Sequence, residues 1–242
     1  MAVNIRPHII INGKSSLEVS GLMICSLPPI TKPKMRVSAQ EIDGKAGDIV
    51  TELGFSAYDK EFSVALHGEY NVDDVIAYLT QSGKVTFSNE PDKYYLFAQY
   101  NGIDFERLIR FKTADVEFHV QPFKYSVSEN EKAFTFSPSA SSGELEIRNN
   151  GNYYSRPQLK LTGTGTIQLG INGNTLFSID MSENHVIIMD GAEMNAYNPE
   201  GLLMNRKING NMDNLTLGIG KNIIDYSGSI SEIVVSKQSR WI

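Results

Sequence analysis

The sequence has a single cysteine, no strongly basic stretch and no long apolar run. Cys25 cannot form an internal disulfide, and its apolar neighbours favour a buried, inert thiol, compatible with a reducing cytosol. The formal net charge of -6 argues against nucleic-acid binding. No apolar run approaches the roughly 18 residues that cross a membrane, and no signal-peptide core precedes a cleavage site. We therefore expect neither membrane insertion nor secretion.

Motifs that would indicate catalysis or cofactor binding are incomplete. Gly13-Lys14-Ser15 resembles the end of a phosphate-binding loop, but His8 stands where that loop requires its first glycine. The histidines lack the spacing of metal ligands; they are His8, His67, His119 and His185. Carboxylates are so numerous that a hydrolytic pair could always be chosen, and their number favours no site. We expect no catalytic residue, no metal site and no cofactor, and a hydrolase is the third hypothesis.

The first half of the chain is predicted to be mainly β with one helix. Asn12-Gly13 follows an apolar run and is a strong hairpin signal. Asn71 is a suitable N-cap for a helix over about residues 72–80, whose apolar residues share one face. Apolar alternation predicts strands in the segments 55–66, 84–88, 94–100, 107–113 and 116–120.

Residues 36–51 form the least regular part of this half. Alternation is weak up to residue 42, and the next segment carries Gly44 and Gly47 among charged residues. Long loops inside compact domains are uncommon and are often binding elements. We predict a long exposed loop that contacts a partner; a solvent-exposed loop without a partner is the alternative.

The second half has short strands separated by turns. The Ser-rich run at residues 136–143 lacks apolar periodicity and predicts a boundary between two domains, residues 1–136 and 137–242. The polar segment NNGNYYSRP at residues 149–157 leads into the second domain. Turn signals such as Asn172-Gly173 then recur at a spacing typical of a β-sandwich.

Four aromatic residues near turns of the second domain leave a functional alternative open; they are Tyr153, Tyr154, Tyr197 and Trp241. Exposed aromatic faces can stack on sugar rings. A carbohydrate-binding module is therefore the second hypothesis. Because aromatic side chains mostly lie in cores and interfaces, we favour a role in sealing the ends of the sandwich and its contacts.

Four segments share a pattern with one known family. Residues 41–49, EIDGKAGDI, look like that family's I-P-G-R-x-G loop, with Asp43 in place of the usual proline and Lys45 in place of arginine. Residues 115–125, DVEFHVQPFKY, are similar to the strand that closes its N-terminal domain. Residues 149–165 look like the start of its C-terminal domain, and the last residues of the chain fit its final strands. The chain thus resembles the distal tail proteins of long-tailed, non-contractile phages and their prophages.

This resemblance implies an N-terminal β-sandwich or barrel-like domain with one helix and a protruding belt loop, followed by a galectin-like C-terminal β-sandwich. It also implies six copies in a ring at the tail tip of the virion, assembled in the cytoplasm of the host bacterium. The ring would join the tail tube protein to the tail-associated lysin or fibre protein, and would often carry receptor-binding proteins. A structural hub without enzymatic activity is therefore the leading hypothesis, and a module contacting host cell-wall glycans is the alternative.

The belt loop would make the contact between neighbouring copies. Ile42 and Ile49 flank its polar tip and are expected to anchor it in a neighbour's apolar groove, with Asp43, Lys45 and Asp48 at the rim. Such a ring contact joins two different surfaces, whereas a monomeric carbohydrate-binding module needs no arm. The predicted interface residues are Ile42, Asp43, Gly44, Lys45, Gly47, Asp48 and Ile49.

Overall fold

The structure is a computed structural model that describes residues 6–44 and 46–242, without the side chains of Asn130 and Glu131. The chain divides into two compact units, residues 1–124 with Ile242 and residues 125–241. This division lies before the predicted boundary, because the segment Phe134–Phe136 pairs with a strand of the second unit. That the two units are separable domains stays a prediction.

The first unit is built mainly of strands. Most of them join one sheet in the order β2-β1-β7-β8-β9-β6-β3. Buried apolar side chains from these strands and from the first helix form one core. The elements are β1 (Ile9–Ile11), β2 (Lys14–Ser15), β3 (Leu22–Ile24), β4 (Met35–Glu41), β5 (Asp48–Phe55), β6 (Tyr58–Leu66), α1 (Val72–Leu79), β7 (Gly83–Phe87), β8 (Lys93–Ala98), α2 (Phe105–Phe111) and β9 (Thr113–Ser126).

Local signals in the sequence explain the turn after β1 and the start of α1. Asn12 and Gly13 have φ values of 49° and 88°, as a two-residue hairpin turn requires. The Asn71 side chain accepts a hydrogen bond from the backbone N–H of Asp73 and caps α1. Tyr78 lies on the buried face of α1, and its hydroxyl donates to the carbonyl of Ile9 at 3.0 Å. The predicted helix is therefore tied directly to the first strand.

The prediction of a strand over residues 107–113 was wrong, because α2 occupies most of it. The Asp104 side chain accepts a hydrogen bond from the backbone N–H of Arg107 at 2.8 Å and caps the helix. Lys112 ends it in the left-handed region with φ 62°. Cys25 was also predicted wrongly: it directly follows β3 and is exposed.

The second unit consists mainly of strands, with one short α-helix and two turns of 3-10 helix. The elements are α3 (Val127–Glu131), β10 (Phe134–Phe136), β11 (Ser142–Asn149), β12 (Gln158–Ile171), β13 (Asn174–Met181), β14 (Val186–Asp190), β15 (Asn195–Tyr197), β16 (Ile208–Asn209), β17 (Gly220–Ser236) and β18 (Arg240–Trp241). Two strands, β12 and β17, are much longer than the segments that the sequence predicted.

The long strands β12 and β17 pair with each other along both of their halves. The first half of β17 also pairs with β11 and its end with β10, while the two halves of β12 pair with β14 and β13. The pairing shifts register between Thr164 and Gln168, next to Gly165 and Gly228, which have φ values of 72° and 119°. Both halves contribute to one core. The sheet therefore curls around that core, with glycine where the strands bend.

Within the part of the chain that the structure describes, no helix has the length and apolar character needed to cross a membrane.

Candidate functional site

Strands β4 and β5 form an isolated hairpin, which we call the arm (residues 35–55). They pair antiparallel, with Ala39 opposite Val50 and Glu41 opposite Asp48, and pair with no other described strand. Every residue of β4 after Met35 is exposed, as is most of β5. Seven residues at about 3.3 Å each give the arm a length of roughly 23 Å. The outer edges of both strands are thus open to pairing or packing with another chain.

The arm corrects the prediction for residues 36–51, since a paired hairpin stands where a loop was expected. At its tip, Gly44 and Gly47 adopt φ values of 81° and 80°, which favour glycine. Ile42 is 46% exposed and Ile49 is 41% exposed. Asp43 lies in the tip turn, whereas Asp48 and Ile49 belong to β5. Lys45 lies outside the described residues. That these residues contact a neighbour stays a prediction.

The root of the arm is packed, in contrast to the rest of it. The pairing shifts register between Met35 and Val37, because β5 contains one extra residue near Gly54, which has φ 94°. This bulge brings Phe55 opposite Met35 and turns its side chain into a buried position. The Phe55 ring meets the Phe123 ring edge-on at 5.8 Å. The backbone N–H of Ser56 donates to the carbonyl of Lys34 at 2.8 Å and closes the root.

A buried lysine fixes the proline-rich segment that leads into the arm. Lys60 is 3% exposed, and its ammonium donates to the carbonyl of Pro29 at 3.0 Å. The ammonium also lies 4.7 Å from the centre of the Tyr95 ring, a cation–π contact. Burial lowers the pKa of Lys60 to about 8, although nearby Glu90 opposes this shift. The segment that leads into the arm is therefore held by buried contacts, whereas the hairpin itself is exposed.

The two faces of the arm differ in chemistry. Because side chains alternate along paired strands, one set of residues shares the first face: Val37, Ala39, Glu41, Asp48, Val50 and Glu52. Val37 and Val50 are 50% and 57% exposed. The second face carries Ser38, Gln40, Ile49 and Thr51. The first face thus combines an exposed apolar centre with carboxylates at both ends, as an interface patch does.

Helix α2 is a second exposed surface in the first unit, and the sequence reasoning missed it. Leu108 is buried, whereas Phe111 is 67% exposed and Ile109 is also exposed. Arg110 forms an ion pair with Glu106 one turn earlier at 3.1 Å. Asp104 before an i,i+4 acid–base pair was the available signal for a helix here.

The aromatic residues that suggested sugar binding do not form one platform. The rings of Tyr153 and Tyr154 lie 4.7 Å apart, and the guanidinium of Arg240 lies over both, at 5.4 and 4.5 Å. Tyr197 instead lies on β15, where its hydroxyl accepts a hydrogen bond from the Gln158 amide at 2.9 Å. Trp241 lies on β18 and is partly buried. The arrangement favours packing within the unit.

The described residues contain no group of three or more histidine, cysteine, aspartate or glutamate residues suited to hold a metal ion. His119 pairs with Asp59 at 2.6 Å, and the two residues lie opposite each other on the paired strands β9 and β6. His8 contacts the carbonyl of Arg6 at 3.0 Å. Both histidines therefore have local structural partners.

Comparisons by sequence give no match, either to a family model or to a curated protein. Among solved structures, the chain is similar to the SPP1 Dit (gp 19.1) protein, described as a paradigm of the hub adsorption apparatus in phages that infect Gram-positive bacteria. The TM-score is 0.64 at 12% identity, covering 98% of this chain and 99% of that chain.

A second similar structure belongs to the phage P2 baseplate in its activated conformation with Ca. Its TM-score is 0.45 at 8% identity, covering 96% of this chain and 97% of that chain. The likeness to the SPP1 protein confirms the mainly β, Dit-like fold that the resemblance implied.

Proposed function

We propose that this chain is a structural protein of a phage tail tip, a ring-forming hub without catalytic activity. The observation that carries the proposal is the fold, which matches an SPP1 hub protein over nearly the full length of both chains. That protein is described as part of a hub adsorption apparatus, which supports an architectural role rather than an enzymatic one.

The ring is proposed to contain six copies joined by the arm. A closed ring needs heterologous contacts, in which one surface of each copy meets a different surface of the next. The arm suits such a contact because it leaves the first unit, carries exposed apolar residues and has unpaired strand edges. Its packed root at Phe55 would hold it in a fixed direction, which lowers the entropy lost on binding.

In this proposal the ring joins the tail tube protein to the tail-associated lysin or fibre protein, and offers attachment to receptor-binding proteins. It resides in the virion tail tip after assembly in the cytoplasm of the host. The second unit is a scaffold for protein contacts. Its aromatic residues support this, since Arg240 covers the Tyr153 and Tyr154 rings on one side.

The test of the ring is a mass measurement by light scattering on the purified chain. The wild type should elute as a species of about six times the monomer mass. Removing residues 41–49 and linking Gln40 to Val50 with a short Gly-Ser turn should leave a monomer. The new connection between Gln40 and Val50 spans a short distance, because Val50 is paired with Ala39, the neighbour of Gln40, in the hairpin.

Circular dichroism provides the folding control for the shortened arm, and the β spectrum should be unchanged. A shortened protein that still elutes as a hexamer would show that the arm does not close the ring. If assembled phage tails contain no ring of this protein, the proposed function itself is wrong.

The carbohydrate-binding alternative is tested separately. Cell-wall pulldown and glycan arrays with the full chain should give no signal above background. Saturable binding that is lost in a Tyr154→Ala variant would favour the alternative.

A further inference from the structure

An arm that joins copies needs a receiving surface on the next copy, and this inference rests on the proposed function. The first face of the arm has Val37 and Val50 at its centre. Glu52 lies towards the root, and Glu41 and Asp48 lie towards the tip. A matching surface should therefore expose apolar and basic side chains together.

Helix α2 exposes this combination. Leu108 is buried and Phe105 packs against the core, so the helix is anchored by one side. On its other sides Phe111 is 67% exposed and Ile109 is also exposed. Arg107 and Arg110 are exposed beside them and line a shallow groove together with Phe111.

Two carboxylates, Asp104 and Glu106, also line this groove, but both are already engaged. Asp104 caps the helix through the backbone N–H of Arg107. Glu106 pairs with Arg110 at 3.1 Å, and both side chains are largely exposed. Exposed pairs of this kind are weak, so Arg110 can exchange its partner for a carboxylate of another chain. The Arg107 side chain forms no ion pair with a described residue.

The arm and α2 lie at opposite ends of one strand pair. Strands β6 and β9 are in register from Tyr58 opposite Val120 to Ala65 opposite Thr113. The arm ends at Phe55, just before the first of these pairs, and α2 ends at Phe111, just before the last. The first and last of these pairs are seven residues apart along the strand, at about 3.3 Å per residue, so the two ends of the strand pair are separated by roughly 23 Å. The two surfaces can therefore serve two different neighbours, as a heterologous ring requires.

The arm also contains an unfavourable charge pair that a basic partner would relieve. Glu41 and Asp48 are directly opposite each other near the tip, and both are exposed. Like charges at directly opposed positions destabilise an antiparallel hairpin. A guanidinium placed between them would turn this repulsion into two attractions.

We propose that the first face of the arm docks on α2 of a second copy of this chain. Val37 and Val50 cover Phe111 and Ile109, while Arg107 and Arg110 meet the arm carboxylates. The interface is thus apolar at its centre and paired in charge at its rim.

Charge reversal on each side tests the proposal. One variant carries Glu41→Lys and Asp48→Lys on the arm, and the other carries Arg107→Glu and Arg110→Glu on α2. Each variant alone places like charges where the tip of the arm meets the arginine positions of α2. Light scattering should show that each variant loses the ring at concentrations where the wild type keeps it, with at least a tenfold weaker association.

Mixing the two variants in equal amounts gives the sharper result. The lysine arm then faces the glutamate helix, and the native arm faces the native helix, so in an alternating ring the tip charges of each arm are complementary to the helix that it meets. The mixture should recover a ring of the wild-type mass, made of equal numbers of both variants. A matched control, Glu144→Lys with Glu200→Lys on exposed positions of the second unit, should leave the ring intact.

The outcomes separate this inference from the proposed function. If the helix variant keeps the wild-type ring while shortening the arm abolishes it, α2 is not the receiving surface and the arm still closes the ring. If both variants are monomeric, folded by circular dichroism, and fail to assemble on mixing, the arm–α2 pairing is overturned. A wild type that never forms a ring overturns both proposals.

Discussion

The arm tip and the turn at residues 149–157 are both polar segments with glycine, yet they lie in opposite environments. The Asn149 side chain is 1% exposed; its amide donates to the carbonyls of Tyr153 and Leu217 at 3.0 and 3.2 Å. A Cβ added to Gly151 would lie 2.2 Å from the carbonyl oxygen of Arg240. At the arm tip, a Cβ added to Gly44 would meet nothing within 4 Å.

This difference distinguishes two uses of a polar turn. In the second unit the turn is anchored from inside, since Asn149 and Gly151 are buried and both polar atoms of the Asn149 amide are paired within the chain, so it supports the unit itself. The arm is packed only at its root and leaves apolar side chains in solvent. Exposed apolar surface of that kind is typical of interaction sites, and we propose that another chain covers it.

The largest expected effect comes from breaking the packed root. Phe55→Ala should lower the free energy of unfolding of the first unit by about 4 kcal/mol, because it empties a buried ring site against Phe123. Denaturant unfolding followed by circular dichroism measures this. A loss below about 1 kcal/mol would mean that the root is not packed as described.

Breaking the turn at residues 149–157 should lower the free energy of unfolding slightly less. Asn149→Ala removes the two amide hydrogen bonds and a third, from the backbone N–H of Gly151 to Oδ1 at 2.9 Å. The free energy of unfolding should fall by about 3 kcal/mol, since buried groups are left unpaired. The matched change Ser38→Ala on the arm should lower the free energy of unfolding by less than about 0.5 kcal/mol. Equal losses in the two variants would contradict the difference between the turn and the arm.

The buried Lys60 gives the root a pH dependence. Its pKa is lowered to about 8, so between pH 8 and pH 10 the unfolded chain binds more protons than the native one. Stability should therefore rise with pH in this window, by about 2 kcal/mol. Above the window, burial of Tyr95 raises its pKa and works in the opposite direction. Lys60→Met should flatten the rise, and an equally steep rise in that variant would exclude Lys60 as its cause.

The smallest effect on the isolated chain is expected at the centre of the arm. Val50→Ser should change the free energy of unfolding by less than about 0.5 kcal/mol, because Val50 is 57% exposed. The same change should weaken the ring in light scattering, since it removes apolar area from the docking face. Thr51→Ser on the second face is the control and should leave the ring unchanged.

Local chemistry made several parts of this fold predictable. The Asn12-Gly13 turn depends on residues that tolerate positive φ, and the start of α1 depends on a side-chain cap at Asn71. Such features need no information from distant parts of the chain. The apolar alternation of β9 was also visible in the sequence, because one face of this strand is buried.

The remaining parts depend on tertiary contacts. The arm shows weak alternation because neither of its faces is buried in the single chain, so its sequence predicts a loop where the structure has a hairpin. Strands β12 and β17 were divided in the prediction because glycines mark their bends, as they also mark turns. The apolar residues of helix α2 fit the spacing of a strand as well as that of a helix, and only its cap and the Glu106–Arg110 pair favour a helix.

Hydrogen–deuterium exchange of the arm amides tests the central claim most directly. The account predicts that exchange in residues 37–52 slows markedly when the wild type assembles, while the amide of Gly151, already bonded to Asn149, keeps its rate. If the arm amides exchange at the same rate in the monomer and in the assembled form, the claim that the arm contacts another copy is contradicted.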